Sequence, residues 1–251
     1  LCGEMPPPGG GLVVTTPCDP EYFRRHGKAL ILSLDRNSPG GAFHLHLFDP
    51  DDAIHAEVDA LRRRLAATEL TVTWESVPEP SPAYYVNMRF VRLHQMVESS
   101  GREVLNIDTD SLIRAGLDGI GRSLGDHDIS ILTRFGNVQI HLKVLGSALH
   151  VRPTPAARIF LGRLAAYTLS CWRDGTLGWF LDQLAIYVIQ RRTLLAGETL
   201  SLGDLPISVV DHELGADALI WTAKGGRKAG GAFWQAQAAI LDAAPAGDPA
   251  T

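Results

Sequence analysis

Between Leu12 and Asp108 the sequence switches repeatedly from short apolar runs to longer segments with apolar residues at helical spacing, and this alternation constrains the fold more than any other feature. Leu12-Val13-Val14-Thr15-Thr16 reads as a short buried strand. Asp19 is suited to cap a helix and Pro20 to its first position, where a missing N–H costs nothing. That helix is expected to run to about Leu34, with Phe23, His26, Ala29, Leu30 and Ser33 on one side. Asn37 to Gly41 is a turn cluster. Phe43 to Phe48 forms a second strand. Asp51 or Asp52 then caps a helix carrying Ile54, Val58, Leu61 and Leu65, with Arg62, Arg63 and Arg64 on its other sides. Leu70, Val72 and Trp74 alternate as a third strand. Ser81-Pro82 opens a helix with Tyr85, Met88, Val91 and Leu93 inward, and Val104 to Ile107 is a fourth strand ending at Asp108.

Such alternation implies the α/β class, with a mainly parallel central sheet covered by helices. Ligands of these sheets bind at the carboxyl ends of the strands. Three polar features stand there: Thr15 to Asp19, His46 to Asp51, and Asp108 to Asp110. The second half is less regular. Asp128 to Arg134 and Leu145 to Val151 read as strands, Thr154-Pro155 opens a helix to about Trp172, and Gly178 to Gln190 reads as another helix. Ile207 to Val210 and Ala218 to Trp221 are short apolar runs expected to be strands. No internal repeat is visible. Residues 12–240 are expected to form one domain, and the Pro/Gly-rich residues 1–11 and Ala/Pro-rich residues 243–251 to be flexible ends.

Composition narrows the function. A net charge of −5 over 251 residues argues against a nucleic-acid partner, because phosphate contact calls for a basic surface. Cys2, Cys18 and Cys171 lack metal-type spacing and cannot all pair, which fits reduced thiols and a cytoplasmic location. No apolar run has membrane-spanning length; the most apolar stretch, Leu177 to Ile189, is broken by Asp182 and Gln183. No signal peptide is visible, and the chain opens on Leu1 rather than Met, as a processed product or a piece of a longer protein would.

The chemistry-bearing feature is Asp108-Thr109-Asp110. An Asp-x-Asp pattern arises easily by chance, and a solvated turn explains it equally well. At the end of an apolar strand, however, it places two hard oxygen ligands on the ligand edge of a sheet, where Mn²⁺ or Mg²⁺ would neutralise charge on a diphosphate. Asp182-Gln183 interrupts an apolar helix start, where a buried carboxylate needs a partner; the bland alternative is a carboxylate favoured by the helix dipole. Lys224-Gly225-Gly226-Arg227-Lys228 is a basic, glycine-rich loop of the kind that lets backbone and cations approach phosphate. His44 and His46 alternate on one strand, which favours packing over zinc binding.

In this order, the motifs resemble the GT-A nucleotide-sugar glycosyltransferases, in particular bacterial enzymes of the retaining, Asp-Gln-containing type. The matching pieces are Thr15 to Asp19, Phe43 to Phe48, Arg89-Phe90, Val104 to Asp110, Trp179 to Gln183, and Trp221 to Lys228, and they span Leu12 to Lys228. The resemblance implies a Rossmann-like sheet with helices on both faces. It implies a nucleotide-diphosphate sugar donor, with UDP favoured over GDP, and a glycan, protein or lipid acceptor. Thr15, Thr16 and Asp19 would meet base and ribose, and Asp108 and Asp110 would hold Mn²⁺ or Mg²⁺ on the diphosphate. Arg89, Lys224, Gly225, Arg227 and Lys228 would bind the diphosphate, with Asp182 and Gln183 beside the sugar and its reacting carbon. The chain departs from the pattern at Thr222, where many relatives place a further metal-binding histidine; His212 lies ten residues earlier. The segment holding Gly146-Ser147-Ala148 also lacks the sugar-binding Asn-Ser-Gly loop. Two rival readings remain: a non-catalytic GT-A-like binding domain, and a phosphatase of haloacid-dehalogenase type, whose Asp-x-Asp normally follows the first strand.

Overall fold

The computed structural model describes residues 1–229 and 231–243. Strands β1 (Cys2–Gly3), β2 (Leu12–Cys18), β3 (Ala42–Phe48), β4 (Glu69–Glu75) and β5 (Glu103–Ile107) fall in the first half of the chain. They are followed by β6 (Ser111–Ile113), β7 (Ile129–Thr133), β8 (Val144–Val151), β9 (Leu202–Asp204), β10 (Val210–Asp211) and β11 (Ile220–Thr222). The central sheet has eight strands in the order β1-β4-β3-β2-β5-β8-β7-β9. Its middle, β4-β3-β2-β5, is parallel, as expected, and β8 joins β5 antiparallel. A second, three-stranded sheet runs β10-β11-β6. Neither β6 nor β9 is legible as a run of residues; each has only three.

Helices cover both faces because neighbouring residues of a strand point to opposite sides. In β2 and β5, Val14, Leu105 and Ile107 enter one core, and Val13 and Val104 enter the other. The first core is closed by a helical segment made of α1 (Pro20–Tyr22), a π-helical turn (Phe23–Gly27) and α2 (Lys28–Asn37). It also takes α3 (Ile54–Arg64), the short α5 (Ile120–Ser123) and the C-terminal Gly231–Asp242 helix. The second core packs under α4 (Pro82–Ser100), α6 (Pro155–Arg173) and α7 (Leu181–Leu195). We number the C-terminal helix α8. Phe160, Leu161 and Leu164 of α6 are fully buried, each contributing about 1.5–3 kcal/mol by burial.

Three of the expected caps are present, whereas α3 starts from Ala53 rather than from Asp51 or Asp52, with the Ile54 N–H still donating to the Asp51 carboxylate at 3.0 Å. Asp19 accepts the Tyr22 N–H at 2.7 Å, Ser81 that of Tyr84 at 3.1 Å, and Thr154 that of Ala157 at 3.2 Å. At the N-terminal end, β1 pairs antiparallel with β4, and the Glu4 N–H donates to the Val72 carbonyl at 2.8 Å. Gly3 is required for this, since a Cβ there would lie 2.2 Å from the Val72 oxygen. Residues 244–251 of the expected C-terminal tail lie outside the described residues. Among the described residues, no helix is long and apolar enough to cross a membrane.

Candidate active site

A cleft of about 610 Å³ opens at the carboxyl edge of the parallel strands. Its floor is built from residues far apart in sequence. Asp108, Thr109 and Asp110 follow β5. Arg89 comes from the middle of α4, Asp182 from the first turn of α7, and Lys224 to Lys228 from the residues after β11. The antiparallel pairing of β6 with β11, in which Ser111 faces Thr222, draws the acidic triplet and the Lys224 to Lys228 stretch together. The Ala223 N–H donates to the Asp110 carbonyl at 2.9 Å.

Arg89 is 8% exposed and sits between two carboxylates, donating to Asp108 at 2.7 Å and to Asp182. Lys224 pairs with the other oxygen of Asp108, and Lys228 pairs with Asp110 and donates to the Tyr22 hydroxyl at 3.3 Å. The acidic triplet is therefore the centre of an ion-pair network. Burial opposes the Asp108 charge, but Lys224 and Arg89 outweigh it and hold the carboxyl below the usual carboxylate range. Asp110 is 2% exposed. Burial and then the Asp108 charge push its carboxyl up, against the pull of Lys228. Thr109 turns the other way, with its hydroxyl 3.0 Å from that of Thr16.

Of the residues expected to bind the donor, the cleft gathers Thr16, Asp19, Arg89, Asp108, Lys224, Gly225, Arg227 and Lys228, together with Asp110, Asp182 and Gln183. Thr15 is the exception. It sits one residue from Thr16 on β2 and so points to the opposite face, where its hydroxyl donates to the His44 carbonyl at 2.9 Å. Arg227 lines the cleft and pairs with Glu213. The basic stretch is a 3₁₀ turn, Gly225–Ala229, rather than an open loop. With its amide oriented to satisfy the local hydrogen bonds, Gln183 donates to the carbonyls of Val144 (2.8 Å) and His141 (3.2 Å).

The polar residues at the end of β3 do not join the cleft. Asp49 accepts from the Val77 N–H at 2.6 Å and the Tyr85 hydroxyl at 3.0 Å, and Asp51 pairs with Arg24. His44 and His46 are buried in a network with Thr71, Thr73 and Glu75, the packing role expected of them.

Several lining residues carried little sequence signal. His212 and Ser147 meet at 3.0 Å on the cleft wall, and Arg134 lies on the rim. Burial and Lys224 push the His212 imidazole down to about 4. Gly146 belongs to β8 rather than to a sugar-binding loop. Trp179 and Phe180 are exposed at the mouth, Phe180 with φ of 70°.

Thr222 is fully buried, with its hydroxyl 2.8 Å from that of Ser111, so it supplies no ligand to the cleft. Among the described residues, no three His, Cys, Asp or Glu side chains converge as a cation site. Both oxygens of Asp108 and one of Asp110 are engaged by protein cations. As arranged, these residues do not fit a divalent ion.

No protein-family model matches the sequence, and no curated protein matches it. Solved structures do. The chain is similar to the glycosyltransferase GlyE of Streptococcus pneumoniae TIGR4, with a TM-score of 0.61 over 92% of this chain and 63% of GlyE, at 12% identity. It is similar to the WbbM bifunctional glycosyltransferase, with a TM-score of 0.64 over 96% of this chain and 50% of WbbM, at 12% identity. It has the GT-A glycosyltransferase fold. Mouse xyloside xylosyltransferase 1 shares the arrangement, with a TM-score of 0.52 over 85% of this chain and 97% of that one, at 12% identity. At such identity the likeness is one of backbone, and the chain spans less than two thirds of GlyE and half of WbbM. The GT-A topology sets Asp108 after β5 in mid-sheet, not after the first strand as a haloacid-dehalogenase-type phosphatase would have it.

Proposed function

We propose that this chain is the catalytic domain of a glycosyltransferase that moves a sugar from a nucleotide-diphosphate sugar, with UDP the favoured nucleotide, to a hydroxyl of a glycan, protein or lipid. The observation that carries this reading is the charge cluster on the cleft floor. Arg89, Lys224 and Lys228 converge there with Asp108, Asp110 and Asp182 at the ligand edge of a parallel sheet.

The chemistry follows from the arrangement. When the sugar C1–O bond breaks, its electron pair leaves with the diphosphate. Fixed cations in a partly desolvated cleft stabilise that charge more than water would, because they need no reorganisation. Asp182, held by Arg89, sets negative charge near the carbon that becomes electron-poor, and Gln183 fixes the adjoining wall. The acceptor oxygen bonds to C1 and loses its proton. For a retaining reaction it attacks the face that the leaving phosphate occupies, and that phosphate takes the proton. Thr16 and Asp19 line the cleft at the end of β2, suited to the nucleoside.

A thermal-unfolding panel of UDP- and GDP-linked sugars tests the reading, since a ligand bound only by the folded state raises Tm. At least one donor should raise Tm and be cleaved to the nucleoside diphosphate. Asp182→Asn should keep nucleotide binding and lose cleavage. If no nucleotide diphosphate binds, the reading is wrong. The buried Thr222 favours one second reading, a domain that binds the donor without turning it over; binding without cleavage under any condition selects it.

A further inference from the structure

We propose that the Lys224 ammonium, seated on Asp108, does the work of a divalent cation at the donor diphosphate, so that the site binds nucleoside diphosphates without metal. This inference rests on the donor reading above.

Three observations carry it. The first is position: Lys224 bonds the very carboxylate that a bridging cation would use, and it does so two residues after Thr222, where the expected histidine is missing. The second is donor chemistry. A divalent ion would have to displace Lys224 or Arg89 from Asp108 and share Asp110 with Lys228, and Thr222 is fully buried and bonded to Ser111. The imidazole on the cleft wall, His212, has its Nε2 3.0 Å from the Ser147 hydroxyl. The third is valence. An ammonium has three N–H donors. Lys224 uses one on Asp108 while its side chain stays 39% exposed to the cleft, which leaves donors for phosphate oxygens. Asp108 is thus a positioning residue that aims a lysine, and Arg89 fixes Asp108 from its other oxygen.

Calorimetric titration of UDP and of GDP, each in excess EDTA and again with Mn²⁺ or Mg²⁺, separates the possibilities. We expect one nucleotide to bind in EDTA with a Kd that the metals change by no more than about twofold. Lys224→Met should weaken that binding by about tenfold or more, the scale of one charged hydrogen bond, and Lys224→Arg should recover part of it. An unchanged Tm for Lys224→Met confirms that the fold is intact. Binding that appears only with Mn²⁺ or Mg²⁺ overturns the inference and leaves the donor reading standing. So does EDTA-resistant binding that Lys224→Met leaves intact. No binding under any condition overturns the donor reading and this inference with it.

Discussion

A methyl group on Gly146 would stand 2.5 Å from Nη2 of Arg89. It would also stand 2.6 Å from Oδ2 of Asp182, so the glycine leaves room for the ion pair beneath it. Arg89 has nowhere cheap to go, because its guanidinium is buried and held by carboxylates on two sides. Gly146→Ala should therefore destabilise the fold by about 1–3 kcal/mol, the usual range for overpacking. It should also weaken nucleotide binding. Urea unfolding that matches the wild type would show that β8 yields instead.

Arg89 is the shared counter-ion of Asp108 and Asp182. Removing one member of a buried pair strands the other, at about 3–5 kcal/mol. Arg89→Met should show a loss of that size in denaturant unfolding. Adding Asp182→Asn should recover part of it, because the neutral amide no longer needs a cation. Strictly additive losses in the double-mutant cycle would mean the two side chains are not energetically coupled.

His44 supplies a pH dependence. Burial first, and the neighbouring His46 second, push its imidazole down to about 3, so it stays neutral in the fold. Unfolded, it titrates near the ordinary value of about 6.5. Below that pH the unfolded chain takes a proton that the folded chain refuses. Stability is full above about pH 6.5 and falls with acidification towards about pH 3, by about 1.4 kcal/mol per pH unit for this one group. His44→Asn should flatten the stability–pH curve by that slope between pH 6.5 and 4, as read by urea unfolding at each pH. Parallel curves would remove His44 as the cause.

Asp19 is both a helix cap and a wall of the cleft, and two substitutions separate the roles. Asparagine caps nearly as well as aspartate, whereas alanine costs about 1 kcal/mol. Asp19→Asn should keep Tm and weaken nucleotide binding; Asp19→Ala should lower both. If Asp19→Asn binds nucleotide as tightly as the wild type, the carboxylate serves only the helix.

The parts of the fold that could be read in advance are those with local causes. The strand–helix alternation marks β2 to β5 because each strand is largely apolar and two of the helical segments between them begin at capping residues, Asp19 and Ser81. What stayed hidden depends on distant partners. β6 has three residues and exists because β11, more than a hundred residues later, pairs with it. β1 is only Cys2 and Gly3, too short to show a pattern, and only the free edge of β4 makes it a strand. In the site, Arg89, Asp108 and Asp182 each belong to a separate short motif, and nothing local says that one guanidinium joins the two carboxylates. Thr15 and Thr16 look alike in sequence, and only the two-residue period of the strand sends them to different faces. Arg134 and Ser147 reach the cleft through sheet geometry that no neighbouring residue announces.

The pairing of Ser111 with Thr222 also sets when the site can exist during synthesis. The parallel core from β2 to β5 needs no residue beyond Ile107 for its strands, so it is free to form while the rest of the chain is still being made. Lys224 and Lys228 arrive only after β11, and until then Asp108 and Asp110 face each other without them. A nascent chain halted before Ile220 would thus carry an ordered sheet and an unbalanced pair of carboxylates, and binding competence would come late, with the closing of the long loop between β6 and β11.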